Sequence, residues 1–316
     1  MKKDILNILK INKGSYVSGE YISSILNISR MSVCNAIKKL KEDDYIISSS
    51  RKKGYMLEDP YKYYDIELLK DNLLKKGFNL IHFNSIDSTN KYAKNNISSL
   101  ENKTIIIANS QDNGKGRKNR DFYSPKNDGI YMTLIFKDDF NESIIKMTAL
   151  TSLAIVKAIK TLYDIDLSIK WINDIFYNRK KLCGILCEAT VEMNTRKFDS
   201  ILIGIGINVY NSDIPEELKD IITSLKLIKD IEYDKNIIVL QIIDEILNIM
   251  SNVNDSTLLE QYKASSIVIN EEVIVSQANN EYVAKVSNIN DEYNLIVESN
   301  NKKILLNSGE ISLKLK

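Results

Sequence analysis

The chain has 316 residues, 44% apolar and 27% charged, which is the balance of a soluble globular protein with room for more than one domain. One histidine, His82, and three cysteines without a CxxC spacing argue against a Ser–His hydrolase, a His-ligated metal centre, a disulfide framework or a zinc site. The net charge of +1 hides an asymmetry: residues 1–58 carry 11 Lys/Arg against 6 Asp/Glu, and the remainder 32 against 36, so a basic module precedes an acidic body.

Residues 1–58 read as a winged helix-turn-helix. Ile5, Ile8 and Leu9 recur at helical spacing, and Ser18 is an N-cap for a short helix with Tyr21, Ile22, Ile25 and Leu26 on its apolar face. Asn27-Ile28-Ser29 makes a tight turn. A third helix over Met31–Lys41 buries Val33, Ile37 and Leu40. Its polar side, with the residues flanking it and the wing, supplies the candidate DNA contacts: Ser29, Arg30, Ser32, Asn35, Lys38, Lys39, Arg51 and Lys52. Tyr45-Ile46-Ile47 and Gly54–Leu57 are expected strands, joined by a basic wing over Ser48–Lys53. A three-helix module for protein contact is the alternative reading.

Asp59-Pro60 and Tyr61–Tyr64 mark a boundary, and a helix over Asp65–Lys76 ends at Gly77, a natural C′ residue. His82 lies in an apolar run and reads as structural. Asp87-Ser88-Thr89-Asn90 reads as a helix N-cap or as part of a site. Between the expected strands Thr104–Ala108 and Ile130–Phe136 lies a loop, Gln111 to Pro125, with two glycines among Lys115, Arg117, Lys118 and Arg120. Glycine permits close backbone approach to a ligand, and the cations suit carboxylate or phosphate. Little apolar content anchors this loop, so it is expected to be mobile without ligand.

An amphipathic helix spans Ser143–Leu162. Lys170-Trp171-Ile172-Asn173-Asp174 follows, with Trp171 read as core. Cys183 and Cys187 fall on a buried strand and read as core thiols, sharing a side only on a helix. Gly204-Ile205-Gly206 reads as a β-bulge in a buried strand. Helical spacing returns over Ile237–Ile249. From about Ile267, short alternating strands at Glu272–Ser276, Tyr282–Ile289, Leu295–Glu298 and Lys303–Leu306 suggest a small β-barrel. No apolar run reaches membrane-span length and the first residues lack a signal-peptide core, so a cytoplasmic protein is expected.

Five of these motifs stand in the order found in biotin–protein ligases that double as biotin-operon repressors, and the chain resembles that family over nearly its whole length. The basic loop is similar to the family's G-R-G-R-x-G-R-x-W-x-S-P element. The others are Asp87–Asn90, Lys170–Asp174, Arg179-Lys180-Lys181-Leu182-Cys183-Gly184-Ile185-Leu186 and Gly204-Ile205-Gly206-Ile207-Asn208-Val209. A terminal Gly309-Glu310-Ile311-Ser312-Leu313 matches the family's C-terminal domain. The resemblance implies an α+β multidomain chain: a winged helix-turn-helix (1–60), a mixed α/β ligase core of the class II aminoacyl-tRNA-synthetase and biotin-ligase type (61–266), and a small SH3-like β-barrel (267–316).

It also implies a chemistry. A carboxylate such as biotin's is activated by ATP to an acyl-adenylate, and a lysine amine then displaces AMP. Fixed cations must hold the two anions together, and no enzyme nucleophile is needed. By resemblance, Ser88, Thr89, Asn90 and Gln111 hold biotin. Gly114, Lys115, Gly116 and Arg117 hold its carboxylate and then the adenylate phosphate. Arg120 reaches the phosphates and Phe122 packs on adenine. Lys181 touches the activated acyl group and is, with Arg117, a candidate catalytic residue. Asn173 and Asp174 face the metal–triphosphate and the incoming lysine, and Asn208 faces the ligand.

The implied ligands are biotin, ATP and Mg2+ carried by ATP, with Asp174 as its candidate protein contact and no protein-only metal site. The implied partners are a biotin carboxyl carrier domain of a biotin-dependent carboxylase, operator DNA, and a second copy in a homodimer when adenylate is bound. Lys115, Asn119, Phe122 and Ile172 depart from the family's Arg, Gly, Trp and Pro. A lipoate–protein ligase, a transcription factor using a dead ligase core as sensor, and a ligase with a vestigial DNA module remain as alternatives.

Overall fold

Serine caps and a left-handed asparagine define the N-terminal helices. In α2 (Gly19–Leu26), which follows α1 (Lys2–Ile11), Ser18 Oγ accepts from Tyr21 N at 3.0 Å, and Asn27 ends the helix at φ 50°. Ser29 Oγ then accepts from Ser32 N at 3.1 Å to start α3 (Arg30–Glu42). Each cap gives a partner to an amide left free at a helix start. The computed structural model describes residues 1–12, 14–43, 45–137, 142–191, 198–277, 280–307 and 310–313. Met1–Tyr64 and Asp65–Lys316 form two separate compact units.

In the first unit, Ile5, Leu9, Ile22, Val33, Ile37 and Leu40 form the core, with Leu26 packed against it; Tyr21 and Ile25, expected on the same apolar face, are exposed instead, because a helix of two turns turns only one narrow stripe inward. The wing is shorter than the sequence suggests. Tyr45 and Ile46 precede the strand, and the expected wing residues Ser48–Ser50 belong to it. The strand β1 (Ile47–Ser50) pairs antiparallel with β2 (Gly54–Leu57), leaving Arg51–Lys53 as the turn. A backbone ladder does not require apolar side chains, so three serines extend it. Val17 pairs with Tyr55 on the other edge of β2. Gly54, at φ 104°, is needed there: a Cβ would meet the Val17 and Ser18 backbone.

The second unit begins with α4 (Ile66–Lys75), capped by Asp65 and followed by Gly77 at φ 79°. A seven-stranded sheet is built from β3 (Asn79–Phe83), β4 (Thr104–Ala108), β5 (Gly129–Lys137), β6 (Ser168–Lys170), β7 (Asp174–Tyr177), β8 (Lys180–Val191) and β9 (Phe198–Asn208). Its order is β3-β4-β5-β9-β8-β7-β6, with only β3 and β4 parallel. The helix α5 (Thr89–Asn95) packs on β4, β5 and β9, and the long α6 (Ile144–Tyr163) packs on β8. The continuous apolar runs of β4 and β5 match strands that are buried along almost their full length.

The short α7 (Leu225–Ile228) precedes α8 (Lys235–Ser251), which packs on α6, and α9 (Ser256–Ala264) follows. The C-terminal strands β10 (Glu272–Gln277), β11 (Asn280–Ile289), β12 (Leu295–Ser299), β13 (Lys302–Leu306) and β14 (Glu310–Leu313) form an antiparallel sheet in the order β13-β12-β11-β10-β14. Trp171 fastens this sheet to the core: its indole N–H donates to Tyr293 O at 2.9 Å. Gly309 of the terminal motif lies outside the described residues. Among the described residues no helix is long and apolar enough to cross a membrane.

Two local readings are corrected. Gly204-Ile205-Gly206 is no bulge, because β9 runs in unbroken register against β5 and against β8 there. Those glycines are required by what lies above them. Cys183 and Cys187 do share a side on a strand, since residues four apart alternate back to one face. Burial raises both thiols, Cys187 to about 12, which disfavours the thiolate of each at neutral pH.

Candidate active site

The site begins at the N-terminus of α5. Ser88 Oγ accepts from Lys91 N at 3.4 Å, and the Thr89 amide and hydroxyl both donate to Gln111 Oε1, at 2.9 and 3.1 Å. Asn90 is buried behind them. Its Oδ1 accepts from Thr133 Oγ1 at 2.6 Å, and its Nδ2 donates to Leu186 O and Glu188 Oε2, both at 3.2 Å. Gly204 lies directly beneath this amide, where a Cβ would collide with it. Asn90 thus has its hydrogen-bonding capacity used by protein partners, and acts here as a support for its neighbours.

The basic loop folds back on itself. Gly116 N donates to Arg120 O and Phe122 N to Gly114 O, both at 2.8 Å, and Lys115 pairs with Asp121. Lys118 and Asn119 adopt φ of 55° and 58°, a left-handed conformation that asparagine tolerates well where the family pattern has glycine. The loop delivers the Phe122 ring onto Gly184 and Gly206, a cross-strand glycine pair on which any Cβ would press into the ring. Lys181 Nζ lies 5.9 Å from the centre of that ring.

A polar chain closes the site. Arg117 Nη1 donates to Asn173 Oδ1 at 3.1 Å, Asn173 Nδ2 donates to Asp174 Oδ1 at 3.0 Å, and Asp174 Oδ1 pairs with Lys181 Nζ at 2.7 Å. Asn173 is further pinned by Ile185 O at 3.2 Å. Ile172, at the family's proline position, follows Trp171 through a cis peptide.

Two cavities meet at this chain. A narrow cleft runs from Ser88, Thr89 and Gln111 at one end to Lys115, Gly116, Arg117 and Lys181 at the other. A wider cavity of about 370 Å3 holds Arg117, Arg120, Asn173, Asp174, Lys181 and Asn208. Phe122 lines both. Asn208 donates to Thr223 O at 3.0 Å, while its buried Oδ1 has no hydrogen-bond partner among the described residues.

Gly114 does not line the cleft. It packs under Ser124 and Gln111, against which a Cβ would press. His82 lines neither cavity. Its Nε2 pairs with Asn109 Oδ1 at 3.0 Å, and burial lowers its pKa.

Sequence reasoning missed part of the wider cavity. Leu218, Ile221 and Ile222 form an apolar wall, held because Lys181 N donates to Ile221 O and Thr223 N to Lys181 O. Ile221 is 56% accessible, an exposed apolar side chain that no sequence pattern marks. Ser276, Glu281 and Ile311 of the C-terminal sheet also line this cavity. In the N-terminal unit, Ser29, Arg30, Asn35, Lys38, Lys39, Arg51 and Lys52 are exposed and Ser32 is half-buried; Arg30 pairs with Glu20 at 2.6 Å.

Comparison with known proteins agrees with this geometry. Residues 82–208 match the biotin/lipoate A/B protein ligase family, and residues 2–56 match an HTH domain. Over 234 residues, 71% of this chain and 70% of the relative, the chain is 36% identical to the bifunctional ligase/repressor BirA of Bacillus spizizenii. The chain belongs to the bifunctional biotin ligase/repressor family. The BirA of Bacillus subtilis is 35% identical over the same coverage. Among solved structures, the biotin protein ligase of Aquifex aeolicus in complex with biotin and ATP superposes with a TM-score of 0.66 at 25% identity, covering 75% of this chain and 99% of that one. The helix-turn-helix unit and the ligase core of this family are therefore both present.

Proposed function

We propose that the protein biotinylates a specific lysine on a biotin carboxyl carrier domain through biotinoyl-AMP, and represses transcription in response to biotin through its helix-turn-helix unit. The observation that carries the enzymatic reading is the chain Arg117–Asn173–Asp174–Lys181 at the junction of two cavities. Ser88, Thr89, Asn90 and Gln111 form the biotin end of the cleft, and Gly114, Lys115 and Gly116 the loop around it. Arg117 and Lys181 meet the carboxylate at the other end. Arg120, Phe122, Asn173, Asp174 and Asn208 face ATP.

The biotin carboxylate attacks the α-phosphorus and pyrophosphate leaves; the lysine amine then attacks the acyl carbon and AMP leaves. Arg117 and Lys181 offset the repulsion between the two anions and the charge that develops on the transferred phosphoryl group. Asp174, held by Asn173 and Lys181, is the carboxylate that would hold Mg2+. Mg2+ would enter with ATP, held by the ATP oxygens and by Asp174. Mg2+ there would neutralise the triphosphate and favour release of pyrophosphate.

The DNA reading rests on the exposed polar side of α3 and the Arg51–Lys53 turn, with Ser29, Arg30, Ser32, Asn35, Lys38, Lys39, Arg51 and Lys52 as contacts. It further includes domains at 1–60, 61–266 and 267–316, a core of the class II synthetase type, an SH3-like C-terminal barrel, a cytoplasmic location and a homodimer when adenylate is bound. Lipoate ligation is the rival. The polar end of the cleft and the bifunctional relatives favour biotin. Incubation with labelled biotin, ATP-Mg2+ and a carboxyl carrier domain, with lipoate as competitor, tests the reading: label on the carrier that lipoate does not displace supports it, and label displaced by lipoate rejects it.

A further inference from the structure

We infer that Ser124 is a positioning residue for ligand recognition: it anchors the Gln111 amide in the orientation that Thr89 sets and ties that amide to the basic loop. The inference rests on the ligase reading above. A backbone N–H can only donate, so the group Gln111 presents to Thr89 N, 2.9 Å away, must be its oxygen. Thr89 Oγ1 lies 3.1 Å from the same oxygen and donates to it as well. The amide nitrogen is thereby turned to the opposite side, where it donates to Ser124 Oγ at 3.1 Å. Ser124, itself only 7% exposed, then has its hydroxyl proton free to donate to Phe122 O at 2.9 Å. The main chains add Gln111 N to Ser124 O at 3.3 Å.

Gly114 completes the device. A Cβ there would lie 2.7 Å from Ser124 Oγ, 2.8 Å from Phe122 O and 2.9 Å from Gln111 Nε2, so glycine leaves room for the cluster. One connected path therefore runs from α5 through Thr89, Gln111 and Ser124 to the residue whose ring divides the two cavities.

The fixed orientation has a chemical result. Gln111 Oε1 already accepts two hydrogen bonds, so the second N–H of its amide is the group left for a ligand. Thr89 Oγ1, having spent its proton on Gln111, keeps acceptor lone pairs. Ser88 Oγ accepts from Lys91 N and keeps its proton to donate. Two donors and one acceptor at this end of the cleft fit a cyclic urea or amide edge, with its C=O beside an N–H. A dithiolane ring offers no such edge. Without Ser124, the amide nitrogen loses its anchor and the donor–acceptor pattern loosens.

The test is a double-mutant cycle on the full chain, reading biotin-dependent pyrophosphate release with saturating ATP. Ser124→Ala is expected to raise the KM for biotin roughly tenfold, the scale of one lost buried hydrogen bond, with kcat within about twofold of wild type. In the Gln111→Ala background, Ser124→Ala is expected to add no further loss, because the residue acts through Gln111. A merely structural role predicts losses that add, and that result, or an unmoved KM in Ser124→Ala, overturns the inference. If Ser124→Ala does not fold, Ser124→Cys keeps the size with a weaker donor and acceptor. It is read by the same cycle, with a smaller KM increase expected. Wild-type protein that releases no pyrophosphate with biotin overturns the ligase reading itself; active wild type with additive losses overturns this inference alone.

Discussion

Arg117 Nη1 donates to Asn173 Oδ1 at 3.1 Å, joining the basic loop to the segment between β6 and β7. The bond puts a guanidinium from a loop of low apolar content against an amide held by the sheet. Arg117→Ala is expected to weaken biotin and, more strongly, biotinoyl-adenylate, because the arginine meets first a carboxylate and then a phosphate. A charge-assisted contact of this kind contributes roughly 1.5–3 kcal/mol. Calorimetry with both ligands checks it, and unchanged affinity for both would remove Arg117 from the site.

Lys181 reaches the same junction from the other side, paired with Asp174 at 2.7 Å. Lys181→Ala is expected to slow adenylate formation by ~10²–10³, the usual loss for one group acting on developing charge. The fold should survive, since Lys181 keeps its backbone bonds to Ile221 and Thr223. Pyrophosphate release measured beside a thermal melt separates the two effects; a wild-type rate would show the role to be misassigned.

Phe122→Ala removes the ring that rests on Gly184 and Gly206 and lines both cavities. The adenylate should lose affinity while biotin alone changes little. Equal losses for the two ligands would contradict packing on adenine. The converse substitution tests the floor. Gly204→Ala would force the Asn90 amide aside and is expected to lower stability by about 1–3 kcal/mol, the usual cost of overpacking. A melting temperature equal to wild type would mean that Asn90 has room to move.

Much of this was legible in sequence because the informative residues are local. Ser18, Ser29, Ser88 and Ser143 each precede a helix that they cap, and a cap is a short-range signal. Arg117, Asn173, Asp174 and Lys181 were legible only as motifs; their convergence is long-range. What sequence did not carry was anything defined by a neighbour across space. Gly204 and Gly206 look like a bulge until Asn90 and Phe122 are seen above them. Leu218, Ile221 and Ile222 carry no motif, and only the pairing of Lys181 with the Ile221–Thr223 backbone brings them to the site. The wing was misjudged for a related reason: Ser48–Ser50 are polar, yet a ladder is made by main chain.

A pH effect follows from His82. Burial lowers its pKa below the ordinary 6.5, so the folded protein binds this proton less readily than the unfolded chain. Below pH 6.5 the unfolded state takes up the proton first, and stability falls with falling pH until the folded imidazole also protonates. His82→Gln, which keeps a polar partner for Asn109, is expected to flatten this part of the stability–pH curve. Denaturation midpoints between pH 7.5 and 5 provide the test, and a slope unaltered by the substitution would assign the effect to other groups.

Regulation supplies the last expectation. Lys115 and Arg117 now have Asp121 and Asn173 as partners, and an adenylate phosphate would give both cations a stronger one. Ordering the basic loop in this way reduces the entropy that a second copy must remove on pairing, so adenylate should favour the dimer. A dimer can present two α3 helices to a two-fold operator, as helix-turn-helix proteins do. Biotinoyl-AMP would then serve as both reaction intermediate and corepressor, and unbiotinylated carrier would compete with DNA by consuming it. Removing residues 1–58 should abolish operator binding. Sedimentation with and without biotin and ATP, run beside DNA binding at a fixed salt concentration, checks the coupling. An oligomeric state and an operator affinity that both ignore the adenylate would leave a ligase whose DNA unit is constitutive or vestigial.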